Sequence, residues 1–229
     1  MTAFNEQVAF VHIPKTGGNS CRRYMREHLH GVMMLEEMYA PAPHLALRDF
    51  EQWLGRPPSS FEVIFAVVRD PYDHQLSQWL FWKDMYSRGF RMPQHQHAAL
   101  HADLTHWLCD EQSDWHIHEA RPSGGKIRTI AASGKGYLEF GGYYPYWLAV
   151  DGEIPDNVRL VRFETLSDDF PAALEEYAGG VFEMPHDNAG PSFKPVAAEY
   201  YSPLAIDIVE RKFPWAFRFL YDKWKRGDA

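Results

Sequence analysis

Apolar residues fall along this chain in two patterns. Val8–Ile13 and Val63–Val68 are near-continuous apolar runs, and Val158–Phe163 also reads as a strand. Runs of that length and composition predict strands buried on both faces, the habit of a parallel sheet. Gly31–Glu36 reads as a further strand. Elsewhere apolar residues return every three or four positions, which predicts helices over Asn19–Leu29, Leu45–Leu54, His95–Cys109, Phe170–Tyr177, Pro203–Phe213 and Trp215–Lys225. A longer helix is predicted from Pro71 to about Tyr86, with Tyr72, Leu76, Trp79 and Leu80 on one stripe and Lys83 closing it. Pro203–Phe213 and Trp215–Lys225 read as one helix or two, broken at Pro214. Loops are marked by Ala40–His44, Gly55–Pro58, Ser87–Gln94 and Asn188–Pro195, and Ser113–Pro145 is the least regular stretch. Strands alternating with helices predict an α/β fold around a parallel sheet, and without repeats or a low-complexity linker the chain reads as a single domain, 1–229.

The first strand runs directly into His12-Ile13-Pro14-Lys15-Thr16-Gly17-Gly18-Asn19-Ser20, and a helix follows. That order of strand, tight turn and helix start suits an anion. The first amides of a helix lack intrahelical acceptors, and the helix dipole is positive there. Gly17 and Gly18 allow close backbone approach, and Lys15 adds a mobile positive charge. The order differs from the G-x-x-x-x-G-K-[ST] loop of nucleoside triphosphatases, because Lys15 precedes both glycines. A second junction follows the Val63–Val68 strand, in the sequence Arg69-Asp70-Pro71. Asp70 suits a helix N-cap and Pro71 the first helical position, which sets Arg69 at a strand's C-terminal end and Ser77 two turns into the helix.

Together these motifs resemble those of the sulfotransferases that use 3′-phosphoadenosine 5′-phosphosulfate (PAPS), closest to the heparan/chondroitin 2-O-sulfotransferase-like group and its bacterial relatives. The loop from His12 to Ser20 is similar to the family's 5′-phosphosulfate loop, and Arg69 and Ser77 match the first Arg and the Ser of R-D-P-x-x-R-x-x-S, with His74 where the family has its middle Arg. The resemblance implies a P-loop-like three-layer sandwich with a central parallel sheet. It implies that Thr16, Gly17, Gly18, Asn19 and Ser20 hold the 5′-phosphate, that Arg69 and Ser77 grip the 3′-phosphate, and that Lys15 neutralises the departing oxygen. It further implies PAPS as co-substrate, no metal, and a hydroxyl-bearing acceptor such as a glycan. The family keeps a catalytic His in the interval where this chain has Pro43-His44-Leu45, so His44 is the candidate base, and imidazole titrates in the right range for that work. As a lone loop residue His44 also reads as a plain solvated histidine, and His12 as the residue that ends its strand and orients the loop.

Two other readings share these residues. An apolar strand ending in Asp70 is also the setting of a Mg²⁺ ligand in a P-loop kinase. A nucleotide-binding module without catalysis would keep the same loop. His95, His97, His101, His106, His116 and His118 cluster in sequence, and His97 and His101 have an i, i+4 metal-ligand spacing with no third ligand spaced to close a site. The glycine-rich basic segment Arg121–Lys135 reads equally as a loop or a lid, and the resemblance implies Lys194, in a late loop, as a further candidate contact to the 3′-phosphate.

Composition narrows the partners. With 23 Lys and Arg against 31 Asp and Glu, the net charge of −8 argues against a nucleic-acid or anionic-membrane surface. Aromatic residues reach 15%, enough for a dense core and for a cleft that stacks a ring. Two cysteines, Cys21 and Cys109, do not make a disulfide scaffold. No run reaches membrane-spanning length and no basic leader precedes the first strand, so a chain resembling the family's anchor-free bacterial members is expected in the cytoplasm. Oligomeric state leaves no mark in the sequence.

Overall fold

The structure, a computed structural model, describes residues 2–38, 44–91, 98–109, 117–119, 128–130, 140–186 and 197–222. The chain is α/β and divides into two compact units, one of Met1–Arg69, His118–Ile127 and Pro145–Gly190, the other of Asp70–Ile117, Arg128–Tyr144 and Pro191–Ala229. The described strands are β1 (Ala3–Phe4), β2 (Val8–Val11), β3 (Met33–Met34), β4 (Val63–Val68), β5 (Ile117–Glu119), β6 (Arg128–Ile130) and β7 (Val158–Arg162). The helices used below are α1 (Gly18–His28), α2 (Leu35–Met38), α3 (Phe50–Leu54), α4 (Pro71–Ser87), α5 (Leu104–Cys109), α6 (Tyr143–Leu148), α7 (Leu166–Ala173), α8 (Glu175–Ala178), α9 (Pro203–Lys212) and α10 (Pro214–Phe219).

The first unit is built on a five-stranded sheet in the order β3-β1-β2-β4-β7. β2, β4 and β7 run parallel, with Val8 opposite Val63 and Ile64 opposite Val158. β1 and β3 are antiparallel additions, so the sheet is mixed where the pattern predicts a parallel one. β1 is too short to show as a run. It folds back through Asn5, whose Oδ1 accepts from the amides of Gln7 and Val8 at 2.9 and 2.7 Å. The strand predicted over Gly31–Glu36 shrinks to β3 because the chain turns at once into α2. Every residue of β2 and β4 is buried, as their unbroken apolar runs require. Phe170 of α7 anchors one face, meeting Phe10 and Phe65 at 5.9 Å and Tyr24 of α1 at 5.8 Å, all edge to face. The helix predicted from Phe170 starts earlier, at Leu166, and is interrupted at Leu174 before α8.

The second unit is helical around α4. Asp70 caps this helix as expected: its Oδ1 accepts from the amides of Tyr72 and Asp73 at 2.9 and 3.0 Å. Tyr72, Leu76 and Trp79 are buried, Leu80 faces outward, and the Lys83 ammonium lies 4.3 Å from the centre of the Trp79 ring. The stripe is broader than predicted, because it also buries His74, Gln75, Gln78 and Trp82. Lys212 donates to Gln75 Oε1 at 3.0 Å and Gln75 Nε2 to Gln78 Oε1 at 3.2 Å, a polar string inside the unit. The helix predicted over His95–Cys109 is broken at 101–103, where Asp103 Oδ1 accepts from the His106 amide at 2.9 Å and starts α5. Leu104, Trp107 and Leu108 are buried, while Leu100, before the break, is 81% exposed and does not share their face. α9 and α10 part at Pro214, as predicted.

Replacing the cap tests this reading of the α4 start. Asp70→Ala should cost about 1 kcal/mol of unfolding free energy, and Asp70→Asn should recover most of it, both read from urea unfolding.

Candidate functional site

The site is a loop built by packing. β2 ends at Val11 and α1 begins at Gly18. Between them Lys15 and Gly17 take left-handed backbone angles, φ 66° and 81°, on either side of Thr16. Such an angle is cheap for glycine but strained for lysine, and strain of this kind gathers at ligand sites. Thr16 is buried, and its hydroxyl donates to the Ile13 carbonyl at 2.8 Å, so its side chain braces the loop. Both glycines are required by space. A Cβ at Gly17 would lie 2.7 Å from Leu166 Cδ2, and one at Gly18 would lie 2.0 Å from Cδ2 of His12. Gly17 occupies the N-cap of α1 with no side-chain cap bond, which leaves capping of the first amides to the loop or to an anion. Ser20 sits buried within the helix rather than at its cap, and Asn19 is exposed.

Arg69 reaches this loop from the end of β4. Its Nη1 donates to the Lys15 carbonyl at 3.0 Å, and its guanidinium lies 4.1 Å from the centre of the Phe163 ring, just past β7. The C-terminal ends of three neighbouring parallel strands therefore meet at one place, where open α/β sheets bind ligands. Burial, and then the charge of Arg69, lowers the Lys15 ammonium from 10.5 to about 8.

His44 comes to the same loop from 32 residues away, with Nδ1 2.9 Å from the His12 carbonyl oxygen. The two rings meet edge to face at 4.7 Å, and Trp147 of α6 lies 6.3 Å from His44. His12 is buried just past the end of β2. Tyr146, whose ring lies 5.2 Å from that of Trp147, has the Arg48 guanidinium 4.2 Å from its ring centre and accepts from Arg48 through its carbonyl. Sequence reading missed Arg48, Tyr146, Trp147 and Phe163. Only Phe163, at the end of the predicted Val158–Phe163 strand, gave any signal.

Ser77 is half-buried on α4, in the second unit. His74, at the middle-Arg position, is buried among Tyr143 at 5.0 Å and Phe213 at 5.7 Å, with Nδ1 3.1 Å from Gln75 Nε2. It is a packing residue. His106 contacts Asp103 at 2.7 Å on the surface. Among the described residues no group of three or more His, Cys, Asp or Glu side chains gathers as a metal site. His95, His97, His116 and Lys194 lie outside the described residues, as do 121–127 and 131–136 of the basic glycine-rich segment. Among the described residues no helix is long and apolar enough to cross a membrane.

Two measurements check the loop. Gly18→Ala should lose about 1–3 kcal/mol by overpacking against His12, although alanine favours helices. Gly180→Ala, whose Cβ would meet nothing nearer than 3.7 Å, should stay within about 0.5 kcal/mol. Lys15 should also mark the pH dependence of stability. The folded chain releases this proton near 8 and the unfolded chain near 10.5, so the unfolded state binds more protons between those values and stability rises with pH through them. Buried Cys21 and Tyr201, whose values are raised by burial, act in the opposite direction at alkaline pH. The difference between wild type and Lys15→Met isolates the lysine: the variant should be the more stable at pH 7, by a margin that shrinks toward pH 10.5.

No protein-family model, curated protein or solved structure matches this chain.

Proposed function

We propose that the protein transfers a sulfuryl group from PAPS to a hydroxyl of a carbohydrate or small-molecule acceptor, and that the sheet with its loop forms a P-loop-like three-layer core. One observation carries the proposal: Arg69 bonds to the backbone of Lys15, so cations from two strand ends share a loop that opens onto a helix start. Burial and then the charge of Arg69 lower Lys15, and an anion placed there offsets both by its attraction and meets the first amides of α1.

The donor set suits a nucleotide carrying two phosphate groups. The backbone of Thr16–Ser20 would hold the 5′-phosphate, and Arg69 the 3′-phosphate; Ser77 belongs to the motif by sequence alone. PAPS supplies an activated sulfuryl group on a good leaving oxygen. In the transfer the acceptor oxygen bonds to sulfur, the bond from sulfur to the 5′-phosphate oxygen breaks, and the acceptor proton passes to His44. Lys15, still charged at neutral pH, stabilises the charge that develops on the leaving oxygen. The kinase reading asks Asp70 to hold Mg²⁺, whereas its Oδ1 is engaged by two backbone amides of α4. A binding module without catalysis differs from the proposal only in turnover.

Ligand binding tests it. At a hundredfold excess over Kd, 3′-phosphoadenosine 5′-phosphate should stabilise the fold by ~2.7 kcal/mol with no metal present, and AMP far less at equal concentration. Arg69→Ala should weaken the bisphosphate roughly ten- to a hundredfold, because a charged contact to phosphate contributes ~1.5–3 kcal/mol, and should weaken AMP less, because AMP loses only the bond that braces the Lys15 carbonyl. A response to Mg·ATP with none to the bisphosphate would replace this reading with the kinase one.

A further inference from the structure

A neutral histidine carries its proton on either ring nitrogen, and the surroundings of His44 choose between them. Its Nδ1 lies 2.9 Å from the His12 carbonyl oxygen. A carbonyl only accepts, so this bond requires the proton on Nδ1 and leaves Nε2 as the basic nitrogen. A histidine side chain in water favours the opposite form, with the proton on Nε2. The fold therefore reverses the intrinsic preference at this residue.

The residue that imposes this choice is itself held from the other side. The His12 ring stacks with Phe10 at 6.2 Å and lies so close to Gly18 that a Cβ there would be 2.0 Å from its Cδ2. Gly18 is the first residue of α1, at the mouth of the anion loop. Through its ring His12 touches the helix start, and through its carbonyl it sets His44.

We infer that His12 is a positioning residue, which fixes His44 in the Nδ1–H form with Nε2 as the proton-accepting nitrogen and ties that orientation to the anion loop. Its consequence for catalysis rests on the proposed sulfuryl transfer, whereas the tautomer stands without it. If the His12 ring merely filled core volume, its removal would leave the backbone carbonyl in place and His44 in the Nδ1–H form.

Long-range ¹H–¹⁵N correlation spectra of the full chain, labelled at histidine nitrogen and recorded at about pH 8 where imidazole is neutral, test the inference. Wild-type His44 should give the Nδ1–H pattern, and His12→Ala should shift it toward Nε2–H. An Nε2–H pattern in the wild type would overturn the tautomer, and an Nδ1–H pattern retained in the variant would overturn the role of His12. Should His12→Ala fail to fold, His12→Gln, which keeps length without the ring, takes its place with the same two outcomes. Bisphosphate binding is read separately by thermal shift. Its absence beside an Nδ1–H His44 counts against the proposed function alone, and its presence beside an Nε2–H His44 counts against this inference alone.

Discussion

The bond from Arg69 to the Lys15 carbonyl is the contact on which the site depends. It joins the end of β4 to the loop that follows β2, and it brings a guanidinium toward a lysine already costly to bury. Like charges are not placed together in a half-buried loop for stability. Removing water from one cation and adding a second beside it both disfavour the charged lysine, and an anion bound there would offset both by its opposite charge. Phe163 backs the guanidinium, so the cation is directed by a ring and a carbonyl at once. The parallel pairing of β2, β4 and β7 lines up the three strand ends that make this possible.

Close packing then sets the shape of the loop. Leu166 closes the space beside Gly17, and His12 closes the space beside Gly18. The backbone at the start of α1 is held by contacts too tight for any side chain, and the Thr16 hydroxyl fastens the loop from within. A cradle held this rigidly loses little entropy when it binds an anion. His44 joins the same construction through the His12 carbonyl, so the candidate base and the candidate anion site share one support.

Much of this was legible in the sequence, for physical reasons that differ from residue to residue. β2 and β4 are buried on both faces, so their apolar runs are unbroken and their ends are sharp. Asp70 and Pro71 announce the start of α4 by local chemistry alone. The antiparallel edge was not legible, because β1 and β3 have two residues each and draw their order from the sheet. Leu100 fits a helical stripe by spacing, but Asp103 restarts the helix and turns that stripe aside. In the site, Lys15, the glycines and Arg69 carry motif signals. Trp147 meets His44, and Arg48 meets Tyr146, only through the fold, at separations no local pattern records. The burial of His74 among Tyr143 and Phe213 likewise depends on residues far along the chain.

The central claim is that the loop before α1 and the Arg69 guanidinium receive the two phosphate groups of one nucleotide. Amide and guanidinium ¹H–¹⁵N spectra, recorded while 3′-phosphoadenosine 5′-phosphate is added without metal, test it most directly. The account predicts that the largest shifts fall on the amides of Thr16 to Ser20 and on Arg69 Nε, saturating together with one Kd. Saturation with these signals unmoved and the shifts elsewhere on the chain would contradict it.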